Sequence, residues 1–149
     1  GSSRRGIMLL QPVAKVRFQN RVPRSGVRPR AVGMETAKAP VYVVLVTGKV
    51  KPGQMGKFKE VFKPLADHVT EHEDGCLSYQ LSVSETSPDE LCIFERYVSK
   101  EYLEGVHWQS EPFKKFGAAC RELDLWEGKT VAKYWEEGPG AYGFMARGQ

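Results

Sequence analysis

The order in which hydrophobic period changes between Pro40 and Glu136 constrains this chain more than any other feature. Val41-Tyr42-Val43-Val44-Leu45-Val46 is a continuous, β-branched run closed by Thr47-Gly48, the pattern of a strand covered on both faces. After a turn at Lys51-Pro52-Gly53, residues Phe58, Val61, Phe62, Leu65 and Val69 form a helical stripe. Pro64 should kink that helix and Asp74-Gly75 should end it in a left-handed stop. Leu77, Tyr79, Leu81 and Val83 then alternate with polar neighbours. A polar loop from Ser84 to Glu90 joins them to the run Leu91 to Val98, so the pair reads as an antiparallel hairpin. Ser99 is an N-cap for a helix carrying Tyr102, Leu103 and Val106, and Ser110 for one carrying Phe113, Phe116 and Ala119. Gly128 turns the chain into a last strand, Thr130 to Trp135.

The sequence β-α-β-β-α-β predicts an α+β, ferredoxin-like domain over residues 40–136, a four-stranded antiparallel sheet with its helices on one face. The other face carries apolar groups among Ser and Gln and needs another layer. A second copy of the chain is the economical source, so a homodimer whose sheets close into a dimeric α+β barrel is expected. No run of 18 apolar residues exists, which excludes a membrane-spanning helix from the sequence.

Charge is divided along the chain. Residues 1–34 carry eight basic side chains and no acidic one, while residues 35–149 carry 14 basic and 18 acidic groups, a net charge of −4. The overall +4 therefore comes from the leader, and the folded part lacks the basic surface that nucleic acid requires. Residues 1–39 read as a disordered basic leader. Gly1-Ser2-Ser3 looks like the remnant of an expression tag, Met8 suits a native start, and the Arg-rich, acid-free stretch that follows suits a transit peptide. Pro12, Pro23 and Pro29 oppose a continuous amphipathic helix and favour a chloroplast over a mitochondrial address; a tail without an address, on a cytoplasmic protein, is the alternative. Residues 137–149 show no period and are expected to be a flexible tail. Cys76, Cys92 and Cys120 form no CxxC pair and read as reduced thiols.

Four ordered segments carry a family resemblance: Val50-Lys51-Pro52-Gly53, Glu73-Asp74-Gly75-Cys76-Leu77-Ser78-Tyr79, Glu95-Arg96-Tyr97, and His107-Trp108-Gln109-Ser110-Glu111-Pro112-Phe113. Together they resemble the antibiotic biosynthesis monooxygenase (ABM) domains of the dimeric α+β barrel group over residues 41–136. That group includes quinol monooxygenase-like proteins, cofactor-independent oxygenases of polyketide quinones, and heme-degrading enzymes. The resemblance implies a monooxygenase acting on a small aromatic or quinol-like substrate without metal or flavin. It also allows a heme-degrading enzyme, with a tetrapyrrole as ligand and heme as substrate or cofactor, and a non-catalytic ligand-binding or stress-response barrel. Against the heme-degrading pattern, His107 matches the ligand position, Tyr97 stands where that branch has Trp, and Val46 stands near its Asn.

His107 and Tyr97 are the catalytic candidates: the imidazole as a base toward a phenolic substrate or as a heme ligand, the phenol as an orienting group. Val46, Phe58, Phe62, Leu65, Trp108 and Phe113 are candidates for an apolar substrate pocket, with the hydrophobic core as the alternative role for most of them. Glu95 lies on the same strand face as Tyr97 and reads as a structural partner of Arg96, Arg121 or a backbone amide. His68 and His72 share a helix face at i, i+4 but lack a local third ligand, so no metal is assigned to them. No phosphate loop, nucleophile elbow or dinucleotide fingerprint is present.

Overall fold

The computed structural model describes residues 39–138 and 141–144. The expected leader up to residue 38 lies outside the described residues, as do residues 139–140 and 145–149 of the expected tail. The elements run β1 (Tyr42–Val50), α1 (Met55–His72), β2 (Cys76–Val83), β3 (Glu90–Tyr97), α2 (Lys100–Tyr102), a π-helical turn (Leu103–His107), α3 (Glu111–Glu122) and β4 (Trp126–Trp135). The strands form one antiparallel sheet in the order β2-β3-β1-β4. The arrangement is the ferredoxin-like α+β fold, and the sheet of the single chain is open.

The apolar stripe of α1 packs on one face of this sheet. Met55, Phe58, Phe62, Leu65 and Val69 are buried, and Phe58 and Phe62 meet Phe116 of α3 edge-on at 5.6 and 5.5 Å. Pro64 does not end the helix. It lies on the exposed side of the helix, away from the buried stripe. Beneath the helices the sheet contributes Tyr42, Val44 and Val50 from β1, and Leu91, Ile93, Glu95 and Tyr97 from β3, in strict alternation.

Several boundaries differ from the sequence expectation. β1 continues four residues past Val46, because Thr47, Gly48 and Lys49 keep their register with β3 and β4. β4 begins at Trp126 instead of Thr130, since the chain reverses earlier, at Asp124, whose φ of 49° supplies the left-handed residue of that turn. Gly75 is not left-handed. Its small size is what matters, as a Cβ there would lie 2.3 Å from the Tyr102 ring. Gly48 has the same role beneath Trp126, with 2.5 Å left for a Cβ.

Ser99 and Ser110 accept hydrogen bonds from the amides of Tyr102 and Phe113, as their cap positions predict. Between them the helix widens into a π turn, with the Trp108 amide donating to the Leu103 carbonyl at 2.9 Å. The extra residue in this turn moves the inward position from Val106, which is exposed, to His107, which is buried.

The opposite sheet face carries Val43, Leu45, Phe94, Ala132 and Tyr134 with Arg96. Arg96 grips Glu136 in a bidentate pair at 2.7–3.0 Å, and Tyr142, Gly143 and Phe144 line a groove of about 390 Å³ with Val43, Phe94 and Arg96.

Candidate active site

A cavity of about 500 Å³ lies between the sheet and α3, within the range of ligand pockets, roughly 300–1,000 Å³. Its floor is Val44 and Val46 of β1, Tyr79 of β2, Ile93 and Glu95 of β3 and Val131 of β4. Its roof is Trp108, Phe113, Phe116, Gly117 and Cys120, and Trp126, Arg121 and Lys129 complete the wall. The register explains this gathering: Val44 faces Glu95 across β1–β3, Tyr79 faces Glu95 across β2–β3, and Val46 faces both Ile93 and Val131.

Glu95 is the one carboxyl group among the described residues of this lining, and it is 6% exposed. It accepts a hydrogen bond from the Tyr97 hydroxyl at 2.8 Å. Burial pushes its carboxyl up to about 7; the Tyr97 bond opposes this and the charge of Glu73 adds to it. A carboxyl group in this range exchanges a proton near neutral pH, the requirement for a general base or acid. Burial likewise raises the phenols of Tyr97 and Tyr79, with Glu95 as the next cause, so both stay protonated donors. The Tyr79 hydroxyl, on the cavity floor, has no hydrogen-bond partner among the described residues.

Behind this pair lies a second one. His107 Nδ1 meets Glu73 Oε2 at 2.8 Å, with both side chains 1% exposed. The rings of Phe113, Tyr79 and Tyr97 surround the imidazole, their centroids 5.0, 5.4 and 5.5 Å away. Burial lowers the His107 pKa and the Glu73 carboxylate opposes that. His107 Nε2 and Glu73 Oε1 are buried without hydrogen-bond partners among the described residues; His68 Nε2 lies 3.6 Å from Glu73 Oε1. Burial pushes the neighbouring Cys76 thiol up to about 12, with Glu73 and Glu95 adding to it, which leaves it no nucleophile.

The expected site residues divide accordingly. Val46, Trp108 and Phe113 line the cavity. Phe58, Phe62 and Leu65 do not; they are core residues at 0%, 5% and 1% exposure. His107 and Tyr97 stand behind the wall, and Tyr97 reaches the cavity only through Glu95. Glu95 pairs with Tyr97 and not with Arg96, which belongs to Glu136. The sequence held the signal for Glu95: a carboxylate in register with Leu91, Ile93 and Tyr97 on an apolar strand face must be buried. An axial role for His107 toward heme does not fit this geometry, because its ring is enclosed by three aromatic rings and is not part of the cavity wall. Val46, on the floor, offers no hydrogen bond to a porphyrin-bound ligand. Among the described residues no group of three or more His, Cys, Asp or Glu is placed to hold a metal ion, and no helix is long and apolar enough to cross a membrane.

Residues 41–119 of the chain that builds this open ferredoxin-like sheet match the family model "Antibiotic biosynthesis monooxygenase", and the chain belongs to that family. Among solved structures it is similar to a Caulobacter crescentus CB15 protein named as a candidate antibiotic biosynthesis monooxygenase. That likeness has 32% identity, covers 65% of this chain and 90% of the other, and has a TM-score of 0.59. A Nitrosomonas europaea protein of the same designation (19% identity, 66% and 92% covered, TM-score 0.59) and Rv0793 from Mycobacterium tuberculosis (24% identity, 68% and 99% covered, TM-score 0.58) share the fold. No curated protein matches the chain.

Proposed function

We propose that the protein is a monooxygenase for a small aromatic or quinol-like substrate, with the substrate's own electrons reducing dioxygen and Glu95 as the general base. The observation that carries this reading is a single buried carboxyl group, tuned to about 7, in an otherwise largely apolar cavity of about 500 Å³. Such a wall stacks on a flat ring system, and Glu95 takes the proton of an activated ring CH₂ or of its phenolic tautomer. The resulting anion is electron-rich enough to reduce dioxygen. One oxygen atom enters the ring as C=O and the other leaves as water with the two hydrogens of the CH₂, so atoms and electrons balance without an external reductant. Tyr97 holds the Glu95 carboxyl in place, and the His107–Glu73 pair fixes the ring layer behind it.

The same reading includes a homodimer. Val43, Leu45, Phe94, Ala132 and Tyr134 leave an apolar sheet face that a second copy covers. Oxygen uptake with anthrone, a three-ring ketone with an acidified ring CH₂, tests the activity. The chelator-treated, flavin-free protein is expected to consume oxygen well above the protein-free rate, and Glu95→Gln to lose most of that gain, roughly 10²-fold or more. Uptake no faster than the protein-free rate, or unchanged in the variant, contradicts the proposal.

A further inference from the structure

The cavity has a direction. Glu95, on β3, marks a closed end, whereas Arg121, Lys129 and Val131 are exposed and mark a mouth between the end of α3 and the edge strand β4. The path from β3 across β1 to β4 spans two strand spacings, about 10 Å.

The mouth is also where cations stand without partners. Six other cations of the domain are neutralised, Lys49 by Glu127, Lys51 by Asp124, Lys57 by Glu60, Lys63 by Asp67, Lys100 by Glu104 and Arg96 by Glu136, while the exposed Lys59, Lys114 and Lys115 on the helices do not line the cavity. Among the described residues Arg121, Lys129 and Lys133 have no carboxylate within ion-pair distance. Lys129 and Lys133 lie instead over the rings of Trp126 and Trp108, at 5.6 and 5.0 Å, and both rings line the cavity. β4 places Lys129, Val131 and Lys133 on one face by simple alternation. Arg121 and Lys129 both belong to the lining of the cavity, as does Cys120 in its roof, whose thiol burial raises and the two cations lower. A place in the last turn of α3 favours a cation through the helix dipole, but that does not account for Lys129 and Lys133, which belong to a strand.

We infer that the mouth is an anion subsite, and that the substrate is an aromatic acid whose carboxylate rests between Arg121 and Lys129 while its ring hydroxyl or activated carbon reaches Glu95. This rests on the cavity reading above and adds a substrate class to it. A carboxylate about 10 Å from the reacting end also fixes orientation: the reverse pose sets the substrate's anion against Glu95 and leaves both cations unpaired.

The test is fluorescence titration of the full-length protein with 6-hydroxy-2-naphthoate and with its methyl ester, a neutral probe of nearly the same shape. The acid is expected to bind roughly tenfold more tightly than the ester, the effect of two partly exposed charge pairs. That preference should shrink to near unity in Arg121→Gln/Lys129→Gln and fall in about 0.5 M salt, while the ester's affinity stays unchanged. Both residues are exposed and without ion-pair partners, so the double variant folds. Equal binding of acid and ester by the wild type, or a preference that survives in the double variant, overturns the inference and leaves the cavity reading standing. If neither probe binds, the cavity reading falls and the inference falls with it.

Discussion

Glu95→Gln separates a functional carboxyl group from a structural one by what it does to stability. In the unfolded chain Glu95 ionises at its ordinary value of 4.5; in the fold burial holds it at about 7. Folding therefore favours the protonated form, and the stability this contributes is fully present below pH 4.5 and is lost as pH rises to about 7. Each pH unit in that interval costs about 1.4 kcal/mol, so the wild type gives up about 3 kcal/mol by pH 8. The glutamine amide of the variant carries no charge and still presents an oxygen to the Tyr97 hydroxyl, which lies 2.8 Å from the carboxylate oxygen in the wild type. The variant should thus equal the wild type at pH 4.5 and exceed it at pH 8 by up to about 3 kcal/mol, a common trade between activity and stability. Urea unfolding followed by tryptophan fluorescence at pH 4.5, 6 and 8 gives these differences directly, with the slope m unchanged. A difference independent of pH, or a wild type that is the more stable at pH 8, refutes the reasoning.

Three further outcomes follow from the same geometry. With Glu95 as base, kcat/KM should rise about tenfold per pH unit below about 7 and level above it, as a pH–rate profile will show. His107→Ala leaves the buried Glu73 carboxylate without its 2.8 Å partner and should cost about 3–5 kcal/mol in denaturant melts, whereas Glu73→Gln/His107→Ala together should cost less than the sum of the single changes. Gly75→Ala drives a Cβ toward the Tyr102 ring and should cost about 1–3 kcal/mol in the same melts, much of it restored by pairing the change with Tyr102→Ala.

Local chemistry made most of the fold legible. The α1 stripe and the serine caps at 99 and 110 depend on neighbours within a turn and stand where their patterns put them, whereas β2 keeps only Tyr79 and Leu81 of its alternating set against the core, a register shift between Cys76 and Ser78 leaving Leu77 exposed. The misplaced features depend on distant residues. Gly75 resembles a helix stop by sequence, but the Tyr102 ring, 27 positions on, is what requires it. Val106 fits an α-helical stripe that the π turn rotates out of register. Within the site, the aromatic residues of α1 could not be divided between core and cavity wall, because both roles call for the same side chains; packing against Phe116 decided it. Glu95 was legible as buried but not as facing a cavity, since that needs the register of three strands. The His107–Glu73 pair joins residues 34 positions apart and left no sequence trace.

The central claim, that Glu95 starts an oxygenation powered by the substrate alone, is tested most directly with ¹⁸O₂. Chelator-treated, flavin-free protein turning over anthrone under ¹⁸O₂ should place one ¹⁸O atom in the product ring carbonyl, at a rate that collapses in Glu95→Gln. Product carbonyl oxygen drawn from water, or labelled product formed equally fast by the variant, contradicts it.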